Sequence, residues 1–74
     1  MEIEVRLFAT FRQGREKIQK IKIRENTTIL DILNIIDIKE EEVAIMLLNG
    51  RDATSDRIVE DGDIVSLFPP VGGG

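Results

Sequence analysis

The sequence predicts an α+β domain of two layers, a mixed sheet of about four to five strands with one main helix packed on one face. Three observations carry this expectation. Apolar residues alternate near both ends of the chain, in "IEVRLF" and "DIVSLF". Between them a single stretch, "TTILDILNIIDI", repeats its apolar residues with the period of a helix. No internal repeat and no linker interrupts the order, so one helix must cover the sheet.

In "IEVRLFATF", Ile3, Val5 and Leu7 share one face, while Glu4, Arg6 and Phe8 share the other. That is the pattern of a half-buried strand. "RQGRE" breaks it at Gly14, a turn signal. In "KIQKIKIR", Ile21 and Ile23 alternate with Lys20, Lys22 and Arg24. Ile18 is out of phase with that pair, which predicts a bulge near Gln19. Two strands joined by a short glycine-bearing loop make a hairpin.

Ile29, Ile32, Leu33 and Ile36 stand at i, i+3, i+4 and i+7, one stripe of a helix. Thr28 is a good N-cap, and Asp31 sits favourably in the first turn. The many β-branched residues lower helix propensity, so this helix depends on packing against a sheet. "IKEEE" reads as a solvated connection. "VAIMLL" is a continuous apolar strand that Asn49-Gly50 ends in a turn. "RDATSDRIV" reads as irregular, with a helical turn expected near Asp56–Val59. Asp61-Gly62 turns the chain again. The last strand places Val65 and Leu67 on one face and Ile64, Ser66 and Phe68 on the other. The first and last strands are expected to be the central pair. Residues 1–68 are read as the folded domain and 69–74 as an extended tail.

The chain has 74 residues, 42% of them hydrophobic, with no cysteine and no histidine. Disulfides, thiolate metal sites, thiol nucleophiles and the usual neutral-pH base are therefore excluded. A domain this small must fold by packing alone. No apolar run approaches the length of a membrane span. "MEIEVRLF" has no signal-peptide layout, so a soluble, cytoplasmic protein that does not engage membranes is expected. Formal net charge is −4. Residues 1–24 nevertheless carry Arg6, Arg12, Arg15, Lys17, Lys20, Lys22 and Arg24 against Glu2, Glu4 and Glu16. Such lysines more often guard a sheet edge than bind nucleic acid. No aromatic residue is interleaved with them to stack on bases, so no nucleic-acid partner is expected. The run Glu40-Glu41-Glu42 reads as a solvated turn, because consecutive carboxylates converge poorly on one ion.

Catalysis by this chain alone is not expected. No carboxylate pair faces a cleft, Ser55 and Ser66 have no histidine partner, and Gly72–Gly74 open no helix as a phosphate loop does. The distinct chemistry lies in "LFPPVGGG". Its glycines pass a narrow channel without side-chain clash, and Pro69-Pro70 hold the base of the tail extended. Val71 offers a small apolar anchor. The α-carboxylate of Gly74 is inert as an acyl donor until its oxygen gains a leaving group. ATP would supply one as an acyl-adenylate, which a sulfur nucleophile displaces.

"RLFATFR" at the first strand, "NG" after the middle strand and above all "DGDIVSLFPPVGGG" resemble the sulfur carriers of the ubiquitin-like β-grasp superfamily. The chain looks most like the small subunit of molybdopterin synthase. The resemblance spans nearly the whole chain in element order, and its specific part is the last fourteen residues. Gly72 stands where the family often has another small residue. The segment between the helix and the middle strand is shorter than in many relatives, which predicts a trimmed far end of the sheet. The resemblance implies a ubiquitin-like β-grasp fold and a mechanism. A ubiquitin-activating-type adenylyltransferase, using ATP and magnesium, would adenylate Gly74, and a persulfide-bearing sulfurtransferase would convert it to a thiocarboxylate. Pro69, Pro70, Val71, Gly72 and Gly73 would lie in the partner's channel. In the molybdopterin case the tail enters the large synthase subunit and gives its sulfur to cyclic pyranopterin monophosphate. The isolated chain is expected to be a monomer that binds no metal or cofactor of its own.

Strand alternation adds a docking expectation. If Ile3, Val5, Leu7, Val65 and Leu67 face the helix, Phe8 and Phe68 face away from it, on adjacent parallel strands beside the tail. Leu47 on the middle strand is expected to join them. An exposed apolar cluster of this kind marks a partner interface; the alternative is a minor core on the outer face. Three functions compete: a sulfur carrier for molybdenum or tungsten cofactor synthesis, with thiamine thiazole synthase as an alternative acceptor; a protein modifier like the small archaeal modifier proteins, joined to lysines of target proteins; and a binding module with an idle tail.

Overall fold

A computed structural model describes residues 1–70. Five strands form one sheet in the order β2-β1-β5-β3-β4. They are β1 (Glu2–Leu7), β2 (Ile18–Lys22), β3 (Ile45–Leu48), β4 (Arg51–Asp52) and β5 (Ile64–Phe68), with one helix, α1 (Ile29–Ile35). β1 and β5 are parallel and adjacent, and the other pairs are antiparallel. The two alternating ends of the chain thus meet at the middle of a mixed sheet, as their patterns predict.

Alternation decides which face is buried. Ile3, Val5 and Leu7 of β1 and Val65 and Leu67 of β5 are almost wholly inaccessible, and they pack with Ile29, Ile32 and Leu33 of α1. The helix is short, and its start is fixed by reciprocal bonds. The Asp31 N–H donates to the Thr28 hydroxyl at 3.2 Å, and the Thr28 N–H donates to the Asp31 carboxylate at 3.0 Å. This satisfies two N–H groups that the first turn leaves without helical partners. Thr28→Ala is expected to cost about 1 kcal/mol of stability, read from chemical denaturation, because the N-cap acceptor is lost.

Turns follow the residues that permit them. Asn49 and Gly50 both have positive φ, 52° and 83°, and Leu48 pairs with Arg51 across them. That is the geometry of a tight two-residue hairpin, which asparagine and glycine tolerate best. Gly62 turns at φ 85°, and its N–H donates to the Glu2 carbonyl at 2.8 Å. The Asn49 side chain ties this turn to the hairpin. Its amide donates to Asp63 Oδ1 at 2.9 Å, and its carbonyl accepts from the Ile64 N–H at 2.8 Å.

Several expectations are corrected. β1 ends at Leu7, and Ala9–Arg12 form a 3-10 turn that carries Phe11 into the core. Ala9 makes that departure at φ 53°, a conformation alanine adopts at some cost. β2 has no bulge at Gln19: its register with β1 is continuous, and Ile18 simply lies exposed on the outer face. Ile36 is only half-buried at the end of α1, while Ile38, expected in a solvated connection, is core. The residues 56–59 form no helical turn. The Arg57 N–H closes a turn on the Thr54 carbonyl, and Ile58 bridges to Thr28. No helix among the described residues is long and apolar enough to cross a membrane.

Candidate functional site

The register of β1 and β5 builds the site. Leu7 lies opposite Leu67 on parallel strands, so the next residues, Phe8 and Phe68, stand side by side on the face away from α1. Their rings stack with centroids 4.3 Å apart and planes 15° from parallel. The Arg12 guanidinium lies over the Phe8 ring, 5.2 Å from its centroid, and its Nε donates to the Leu7 carbonyl at 2.8 Å. The 3-10 turn is what brings Arg12 back over the strand that precedes it. A cation over an aromatic face is attracted by the ring quadrupole, which adds to the order of the stack.

On the other side of β5, Ile45 pairs with Phe68 and Leu47 with Ser66. Met46 pairs with the buried Leu67, so Ile45 and Leu47 stand on the outer face with the aromatic pair. Leu47 is half-buried there, and Ile45 remains 48% exposed. Phe8, Phe68, Leu47 and Ile45 therefore share one unroofed surface. Sequence reading placed the first three and missed Ile45, because a continuous apolar run has no alternation to fix its faces. It also missed Arg12, whose place depends on the turn at Ala9.

Pro69 follows Phe68 directly, and the Phe68 carbonyl accepts from the Ala44 N–H at 2.8 Å. Chain leaving this end of β5 starts beside the patch. Pro69 and Pro70 border a shallow open groove with Thr10, Phe11, Arg15 and Glu42. Val71, Gly72, Gly73 and Gly74 lie outside the described residues.

Beyond the patch, the outer face of β1 and β2 carries a small charged cluster. Glu4 accepts from Arg6 Nε at 2.5 Å and lies 3.5 Å from Lys20 Nζ. The Arg6 hydrogen bond, helped by the charges of Arg6 and Lys20, holds the Glu4 carboxyl below the ordinary value of 4.5. A carboxyl with a folded pKa below its unfolded one contributes stability above the unfolded value, and loses it as pH falls through the folded value. Glu4→Gln is therefore expected to flatten the fall of Tm on acidification below about pH 4.5, the ordinary value for this group, measured by thermal scans from neutral to acid pH.

Among the described residues no three acidic side chains gather as a metal site. Glu40–Glu42 form an exposed 3-10 turn. Glu40 accepts from the Ser55 hydroxyl, and Glu42 accepts from the Lys39 N–H. These carboxylates serve the turn that joins α1 to β3.

A sheet wrapped round one helix, with an apolar outer patch beside the start of a proline-glycine tail, defines a ubiquitin-like β-grasp protein of the small carrier or modifier class. Residues 5–74 match the ThiS family, and the chain belongs to it. It is 32% identical to small archaeal modifier protein 3 of Haloferax volcanii, over an alignment of 93 positions that spans both chains completely. The crystal structure of SAMP1 from Haloferax volcanii superposes with a TM-score of 0.82 at 23% identity, covering all of both chains, a likeness of fold. A chain in the complex of subunits 1 and 2 of molybdopterin-converting factor from Helicobacter pylori superposes with a TM-score of 0.66 at 30% identity, again covering all of both chains.

Proposed function

We propose that this protein is a sulfur carrier whose Gly74 carboxylate is activated, loaded with sulfur and presented to an acceptor in molybdopterin synthesis. One observation carries the reading: the aromatic stack and the base of the tail are consecutive in the chain, at Phe68 and Pro69. A partner that grips the patch thereby has the tail aimed into it. The 30% identity with a chain of the molybdopterin-converting factor complex supports a large synthase subunit as that partner.

In this reading the domain of residues 1–68 docks and the tail 69–74 reacts. A carboxylate oxygen of Gly74 attacks the α-phosphorus of ATP on an adenylyltransferase, and pyrophosphate leaves. A sulfurtransferase persulfide then attacks the acyl carbon, and AMP leaves. A thiol cleaves the resulting S–S bond, giving a thiocarboxylate on the carrier and a disulfide on the partner side. The carrier brings no general acid or base to these steps. It supplies an unhindered acyl group and a handle, in line with its lack of histidine and cysteine.

The 32% identity to a small archaeal modifier protein favours a second reading, in which the same acyl-adenylate is passed to a lysine amine of a target protein. The readings separate by mass. After incubation with ATP, magnesium, a cognate adenylyltransferase and a sulfur source, the carrier is expected to gain about 16 Da, the difference between sulfur and oxygen, by covalent exchange at one atom. Conjugates of higher mass in cells that vanish on deletion of Gly74 would instead establish modification. A chain that yields neither product has an idle tail, and the carrier reading fails.

A further inference from the structure

The sheet offers a second addressable feature, the free edge of β2. Its pairing with β1 is regular from Ile18 to Lys22. The Leu7 N–H donates to the Lys17 carbonyl at 2.8 Å, and the Ile23 N–H donates to the Met1 carbonyl at 2.9 Å. Odd-numbered residues of this strand therefore direct their main-chain groups toward β1. The N–H and C=O groups of Ile18, Lys20 and Lys22 point the opposite way, off the sheet. Their side chains stand exposed on the outer face. Ile21 and Ile23 alternate to the helix side, where they are half-buried and pack against the core. The opposite edge strand, β4, has only two residues. Among the described residues, β2 is thus the long row of outward-facing peptide groups.

Charge selects what pairs with it. Residues 17–24 carry Lys17, Lys20, Lys22 and Arg24 and no acidic side chain. Glu4 lies within reach of Lys20, while Lys22 and Arg24 hold no ion pair among the described residues. Lysines on an edge bar pairing with a second copy, because like charges would face each other across the new strand pair. The same lysines favour a strand of opposite charge.

We propose that the β2 edge receives an extended acidic segment of a partner protein, which adds to the sheet as a further strand. Carboxylates on its outer face meet Lys20 and Lys22, and aliphatic side chains on its other face extend the apolar surface of Ile21 and Ile23. Main-chain bonds to Ile18, Lys20 and Lys22 supply affinity, and the alternation of acid and aliphatic residues supplies selectivity. β1 stands between this edge and the tail-bearing β5. The edge is thus one strand removed from β5, and pairing there does not depend on what the tail carries.

The test titrates the full-length chain with an eight-residue peptide that alternates valine with aspartate or glutamate, following amide hydrogen exchange by NMR. The Ile18, Lys20 and Lys22 amides are expected to slow by about tenfold or more at saturation, as unpaired donors become bonded. A Lys20→Glu, Lys22→Glu double variant is expected to bind about tenfold more weakly or worse. Lys20→Pro is expected to weaken binding as well, since it removes an outward donor and leaves the β1 ladder intact. Thermal unfolding checks both variants, and Lys22→Glu alone serves if either fails to fold. Unchanged exchange at the three amides overturns the proposal. So does equal binding of a peptide with the same residues in separate acidic and valine blocks, or the same protection produced by an octathymidine strand.

Discussion

One residue added after Gly74 is expected to abolish sulfur loading and leave the fold untouched. Under conditions that give the native chain its gain of about 16 Da, the lengthened chain should gain nothing detectable, because the atom exchanged in the covalent step is no longer placed for attack. Its unfolding midpoint should not move, since the described core draws on nothing beyond Leu67. In the proposed carrier chemistry, loading requires the acyl carbon of Gly74 to stand within bonding distance of a nucleophile held by the partner. A displacement on the order of 1 Å is enough to cost about a hundredfold in rate. A whole residue displaces the carboxylate by several times that, and it puts a side chain where Gly72–Gly74 have none. Loading at full rate by the lengthened chain would remove the tail from the mechanism.

Phe68→Ala is expected to weaken binding to the proposed adenylyltransferase and acceptor by roughly 30- to 140-fold, the 2–3 kcal/mol typical of a central aromatic anchor. Its cost to stability should be smaller, about 1 kcal/mol, the scale of one stacked aromatic pair. The neighbour sets the contrast. Leu67 is fully buried on the helix side, and Leu67→Ala should cost about 2–5 kcal/mol of stability through cavity formation. Consecutive residues of one strand thus separate docking from folding. Calorimetric titration and chemical denaturation on both variants check this. Equal losses of stability and affinity in Phe68→Ala would make the stack a minor core.

The legibility of this fold in its sequence varies with the physics of each segment. The central strand pair and the helix are strongly patterned, because one face of each is buried against the other and a polar residue there is costly. Thr28 and Asp31 announce the start of α1 through their chemistry. The end of β1 was not legible for a specific reason. Leu7, Ala9 and Phe11 keep the alternating phase, so the pattern continues through a point where the backbone turns away. Ala9 at φ 53° gives no warning, since alanine is not a turn residue. β4 is too short to carry a pattern: Asn49-Gly50 marked the turn, but Arg51–Asp52, read as irregular, form the short strand that returns from it. Ile18 suggested a bulge only because an exposed isoleucine was not allowed for, and single apolar residues on surfaces are ordinary. At the site, Phe8, Phe68 and Leu47 were legible through strand phase. Ile45 and Arg12 were not, because one needs the pairing of β3 with β5 and the other a turn without a sequence signal.

The place of β5 has a mechanical consequence. Hydrogen-bonded neighbours flank it on both sides, β1 running in parallel and β3 running against it. A pull along the tail is therefore carried as shear by two rows of bonds that must yield together, where a strand peeled from a rim would unzip rung by rung. Traction from a partner's channel, or from an unfolding machine threading the same end, meets the fabric at its most resistant seam.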